Sequence, residues 1–86
     1  MQDFKYIIKD EQGIHARPAG LLVNEAKKYT SSIIVKKGDK KADLKKGVLG
    51  LMSLAIKKGE EIEVVFEGDD EEYARNEISK FITENF

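Results

Sequence analysis

The sequence predicts an α+β domain: four strands in one antiparallel or mixed sheet, with helices on a single face, in the order β-α-β-β-α-β-α. Three observations carry this. Residues alternate between apolar and polar near both ends of the chain, so two strands have one buried and one wet face. The stretch from Ala16 switches to helical periodicity. No linker, repeat or low-complexity segment divides the 86 residues, so 1–86 reads as one domain.

The elements follow in order. Phe4, Tyr6 and Ile8 alternate with Lys5 and Lys9 in a first strand, with Ile7 on the second face. Asp10-Glu11-Gln12-Gly13 is a turn. Ala19, Leu22, Val23, Ala26 and Thr30 then share one helical face, and the helix is expected to end near Tyr29. Ile33-Ile34-Val35 is a β-branched strand, and Lys37-Gly38-Asp39-Lys40 turns into a short strand from Lys41 to Leu44. A short helix is expected over Val48–Leu54, closed by Lys57-Lys58-Gly59. Ile62, Val64 and Phe66 alternate with Glu61, Glu63 and Glu67 in the clearest strand. Asp69 is placed to cap a last helix, with Glu72 answering from its first turn and Ala74, Ile78, Phe81 and Ile82 as its apolar stripe.

Composition excludes several classes. Hydrophobic residues are 41% and charged residues 36%, which suits a folded domain and not a disordered chain. A chain of this size buries roughly 60–65% of its unfolded surface, enough for one modest core and no large cofactor domain. With no Cys there are no disulfides, thiolate metal sites or cysteine nucleophiles. No apolar run is long enough to span a membrane, and the N-terminal stretch has no signal-like apolar region, so a cytoplasmic location is expected.

The net charge of −1 hides a split. Residues 1–58 hold 13 Lys and Arg against 6 Asp and Glu; residues 59–86 hold 2 against 10. Five lysine doublets lie in the basic part. Nucleic-acid binding is disfavoured, because no aromatic residues interleave with the lysines on a strand face and the acidic part offsets the basic one.

The chemistry gathers at the only histidine, His15, where the loop becomes the first helix. Backbone N–H groups at a helix start lack partners and bind anions, phosphate especially. Pro18 falls in the first turn, where its missing N–H costs little. Arg17 offers a permanent guanidinium fork to phosphate oxygens. An ordinary imidazole is largely a neutral nucleophile near pH 7. Together these make a site for a transient phosphohistidine, although a lone histidine before a helix is ordinarily a cap or surface residue. A metal site is disfavoured, since no second His or Cys exists to share one, and no cofactor is expected.

Gly13-Ile14-His15-Ala16-Arg17-Pro18-Ala19 closely resembles the active-site signature of HPr, the histidine phosphocarrier family of the bacterial phosphoenolpyruvate:sugar phosphotransferase system. Gly50-Leu51-Met52-Ser53-Leu54 followed by Lys58-Gly59 resembles the family's second motif, and the likeness covers the whole chain. It implies an open-faced β-sandwich, a four-stranded antiparallel sheet with three helices on one face. It implies that Enzyme I phosphorylates Nδ1 of His15 and that the group passes to an enzyme IIA domain. Arg17 would contact the phosphoryl group, with the Ala16 and Arg17 N–H groups beside it and Pro18 shaping the helix start. Gly20, Val48, Leu49 and Met52 would dock partners, and the chain would be a monomeric carrier rather than a turnover enzyme. The alternative is an HPr-like regulatory module that docks on a transcription factor or metabolic enzyme.

Two departures matter. Where many Gram-positive members carry a kinase-regulated serine, this chain has Lys46 or Gly47, so no kinase-controlled co-repressor role is expected. Gly20 stands where larger residues such as Thr are common, which bears on partner choice. The basic residues Arg17, Lys45 and Lys46 are expected near the site, where they steer acidic partners, with the acids gathered away from it.

Overall fold

The computed structural model describes all residues 1–86. The strands are β1 (Gln2–Ile7), β2 (Ser32–Lys37), β3 (Lys40–Asp43) and β4 (Glu61–Glu67). The helices are α1 (Ala16–Ala26), α2 (Val48–Ser53) and α3 (Glu71–Asn85), and one 3₁₀ turn spans Leu44–Lys46. The sheet order is β1-β4-β2-β3, and every pairing is antiparallel. The predicted element order holds throughout.

Register explains the two faces. Phe4, Val64, Val35 and Ala42 lie opposite one another across the four strands. Val64, Val35 and Ala42 are buried, as are Ile62, Phe66 and Ile33 on the same face. The helices cover this face with Ala19, Leu22, Val23 and Ala26 of α1, Leu51 of α2, and Ala74, Ile78 and Ile82 of α3. One residue along, Lys5, Glu63, Lys36 and Lys41 form the matching row on the open face. No helix is long and apolar enough to cross a membrane.

Several boundaries differ from the sequence reading, each for a local reason. The first helix closes at Ala26, because Lys28 and Tyr29 donate to Glu25 and Ala26 in tighter three-residue turns. Tyr29 is thereby buried, and Thr30, expected on the buried face, is exposed. Leu44 leaves the third strand and is buried from the 3₁₀ turn, where the Asp43 carboxylate accepts the Lys45 N–H at 2.9 Å. The short helix matches the expected Val48–Leu54 to within one residue, but Ala55, at the left-handed φ of 50°, follows its end instead of Lys57-Lys58-Gly59 closing it. Phe81 is only half-buried, while Phe86, outside the predicted stripe, is buried.

The last helix starts differently too. Asp70, not Asp69, precedes it, and the Asp70 carboxylate reaches across the fold instead of capping. It accepts the N–H groups of Thr30 and Ser31, each at 2.9 Å, and the hydroxyl of buried Ser31. Glu71, rather than Glu72, reaches back to accept the Gly68 N–H at 3.1 Å. The Ser31 hydroxyl, with the Thr30 and Ser31 N–H groups, holds the Asp70 carboxyl down to about 2 from an ordinary 3.8.

Nor are the charges as separated in space as along the chain. Glu63 stands between Lys5 and Lys36, Glu60 pairs with Lys37 at 3.0 Å, and Glu11 pairs with Lys58 at 2.6 Å. The central place of β4 brings its acids between basic strands. The Lys37 ammonium, with the Lys57 N–H, holds the Glu60 carboxyl below its ordinary value.

Two outcomes follow. Asp70 is depressed in the folded state, so its contribution is full above pH about 4 and is lost as pH falls towards 2. In denaturant titrations across that window, Asp70→Asn flattens the acid loss of stability and lowers stability at pH 7. Gly13 has φ 66°, and an added Cβ would lie 2.8 Å from the Lys57 Cα. Gly13→Ala therefore lowers the unfolding free energy by about 2 kcal/mol at neutral pH, read by the same titration.

Candidate functional site

The loop between β1 and α1 is fixed before any functional side chain is considered. The main-chain oxygen of Phe86 accepts the N–H groups of Lys9 and Asp10 at 2.6 and 2.8 Å. Gly13 donates to Asp10 at 2.9 Å, and Ile14 donates to Ile56 at 3.0 Å. Ile14 is buried, which anchors the residue just before His15 in the core. Only glycine fits at position 13, since its left-handed backbone passes directly against Ile56 and Lys57.

His15 is the residue that precedes α1, with extended backbone at φ −118° and ψ 170°. Its carbonyl accepts the Ala19 N–H at 3.0 Å and so starts the helix. Its side chain makes no capping bond, so the ring is not spent on closing the helix end. The side chain is about a third exposed, and its Nε2 lies 3.6 Å from the Asp10 carboxylate. Nδ1 is left as the ring nitrogen without a partner.

The helix start is open to an anion. The N–H groups of Ala16 and Arg17 precede the first intrahelical bond, and Pro18 has none to offer. The partly buried Pro18 pre-sets the first turn. Arg17 is exposed and pairs with no carboxylate. An imidazole, two unpaired N–H groups and a free guanidinium thus occupy three consecutive residues. That arrangement can receive a phosphoryl group on nitrogen and spread its charge over fixed donors.

An open groove of about 440 Å³ lies beside it, lined by Arg17, Gly20, Lys27, Gly47 and Val48 among others. Its lining holds no acidic residue. Gly20 widens it, since an added Cβ there would meet nothing within 4 Å. On α2 the expected docking residues separate. Leu49 is 83% exposed, whereas Val48 and Met52 are half-buried and pack on the core with Leu51 and Leu54 beneath. Gly47, with φ 112°, precedes α2 and Lys46 ends the 3₁₀ turn, so no hydroxyl stands at either position.

Two residues of this region escape the sequence reading. Leu21, half-exposed next to Gly20, lies off the apolar stripe of α1, and that offset was its only signal. Asp10 reads as a turn residue, and only the folded loop shows it facing His15. Lys45, expected to steer partners, instead donates its ammonium to the Tyr29 carbonyl.

Comparison with known proteins agrees with this geometry. The family model "PTS HPr component phosphorylation site" matches residues 2–84. The HPr-like protein Crh of Halalkalibacterium halodurans is 44% identical over 75 residues, covering 87% of this chain and 88% of that protein. Phosphocarrier protein HPr of Lysinibacillus sphaericus is 39% identical over 84 residues, covering 98% of this chain and 94% of that protein. The solved structure of a mycoplasma histidine-containing phosphocarrier protein superposes with a TM-score of 0.91 at 36% identity, covering 96% of this chain and 93% of the other. With a family signature along nearly its whole length and that family's fold around His15, the chain belongs to the HPr family of phosphocarrier proteins.

Proposed function

We propose that this chain carries a phosphoryl group in the phosphoenolpyruvate-dependent sugar phosphotransferase system. Phospho-Enzyme I donates the group to Nδ1 of His15, and an enzyme IIA domain receives it. The observation that carries this reading is the unpartnered Nδ1 of His15 at the helix start where the Ala16 and Arg17 N–H groups are also unpaired. In the transfer, the Nδ1 lone pair forms the new N–P bond while the donor's own bond to phosphorus breaks and the donor keeps that electron pair. Such a step needs positioning and charge stabilisation more than an enclosed pocket. Arg17 and the two N–H groups supply stabilisation, and Pro18 fixes their angle. The partner supplies the rest of the enclosure, so the chain is a carrier and not a turnover enzyme.

Docking falls to the surface around this point. Leu49 and Leu21 are exposed apolar side chains, and Gly20, Val48 and Met52 complete the patch beside the basic groove. An acidic partner surface with an apolar centre fits it. We propose that the carrier is cytoplasmic and works as a monomer.

A regulatory docking module is the second reading, supported by the 44% identity to Crh. The available nucleophile favours the carrier, since docking alone has no need of it.

Incubated with phosphoenolpyruvate and Enzyme I, the chain takes up an acid-labile phosphate, and His15→Ala abolishes it. An unlabelled wild-type chain, under conditions that charge an ordinary HPr, refutes the carrier reading. Leu49→Asp weakens Enzyme I binding about tenfold (about 1.4 kcal/mol) with an unchanged melting temperature. Titration calorimetry measures this, and unaltered affinity removes Leu49 from the docking surface. Leu49 is a cleaner probe than Met52, whose half-buried side chain also supports the core.

A further inference from the structure

We propose that Asp10 is a positioning residue for phosphoryl transfer: it holds the proton of His15 on Nε2, leaves Nδ1 as the nucleophile, and faces the positive charge the ring gains. The proposal rests on the carrier reading and specifies how its nucleophile is set.

Three bonds fix Asp10 before it meets the histidine. Its N–H donates to Phe86 at 2.8 Å, its carbonyl accepts from Gly13 at 2.9 Å, and its Oδ1 accepts the Gln12 N–H at 2.8 Å. These leave Oδ2, which lies 3.6 Å from Nε2 of His15. The separation is too long for a hydrogen bond in the resting state, and a small ring rotation closes it. Both side chains are about one third exposed. No other carboxylate comes within 4.0 Å of the ring.

Chemistry gives the arrangement its direction. A carboxylate oxygen only accepts, so the neutral ring facing Oδ2 places its proton on Nε2. Nδ1 then keeps its lone pair and turns away from the acid. When Nδ1 attacks, the N–P bond forms, the donor nitrogen retains the electrons of the broken bond, and the proton stays on Nε2. The ring becomes cationic, and the fixed carboxylate opposes that charge without reorganising. Arg17 and the helix N–H groups meet the phosphoryl oxygens on the Nδ1 side, so the accepting carboxylate and the donors act at opposite ends of one ring.

Asp10→Asn tests this sharply. The Asn oxygen takes over the bond from Gln12, so the turn survives. Its amide group then stands where Oδ2 stood and presents a donor to Nε2. The expected result is a shift of the neutral ring towards the Nδ1–H tautomer, read by ¹⁵N chemical shifts of the unphosphorylated protein. Phosphoryl acceptance from phospho-Enzyme I slows about tenfold, with unchanged circular dichroism and melting temperature. Asp10→Ala removes acceptor and donor alike, and gives a mixed tautomer population and an intermediate rate. A wild-type chain that is charged normally, with tautomer and rate unaltered in both variants, overturns the proposal and leaves the carrier reading standing. A wild-type chain that accepts no phosphate overturns the carrier reading and the proposal with it.

Discussion

Strand β4 is the constraint on which the molecule depends. It joins β1 on one side to the β2–β3 hairpin on the other, and no other strand pairs with β1. Ile62, Val64 and Phe66 point from it into the core, and burying each such side chain is worth roughly 1.5–3 kcal/mol. None of these contacts is local in sequence: Phe4 meets Val64, and Ile33 meets Phe66. Until β4 is in place, β1 has no partner and the loop after it has nothing to lie against. The site at His15 is therefore assembled by residues some forty to seventy positions away, through Ile56 and Phe86.

That dependence explains what was legible in the sequence. Alternation in β4 and β1 set the faces, because a strand's two-residue period survives any tertiary context that buries one side. The His15 motif was legible because its features are compressed into neighbouring residues: imidazole, helix start, guanidinium and proline occupy four successive positions. What failed was whatever depends on distant partners. Asp69 and Asp70 are equivalent in local pattern, and only the place of Ser31 and Thr30 makes Asp70 a long-range acceptor. Leu44 and Leu49 are leucines five positions apart, yet one is fully buried and the other 83% exposed. Asp10 could not be tied to His15 without the fold, since the approach depends on how the turn at Gly13 closes.

The surface around the site follows the same division. The interior-facing side of α2 is decided by packing, and Leu51 and Leu54 are committed to it. What remains outward is a small apolar patch on a basic background, opened at Gly20. Glu63 and Glu60 stand among lysines across the sheet, so the basic character around Arg17 is local rather than a property of one half of the chain.

The double acceptance by Phe86 has a consequence for motion. Lys9 and Asp10 hang from the same oxygen at the end of α3, and the Phe86 side chain is buried. Helix ends are the first parts of a protein to fray, and fraying here would release the loop that carries Asp10 and His15. The amides of Lys9 and Asp10 would then exchange with solvent in step with the last turn of α3. The loop that carries His15 is thus tied to the last turn of α3 through a single oxygen, so its order depends on a helix end more than seventy residues away in sequence.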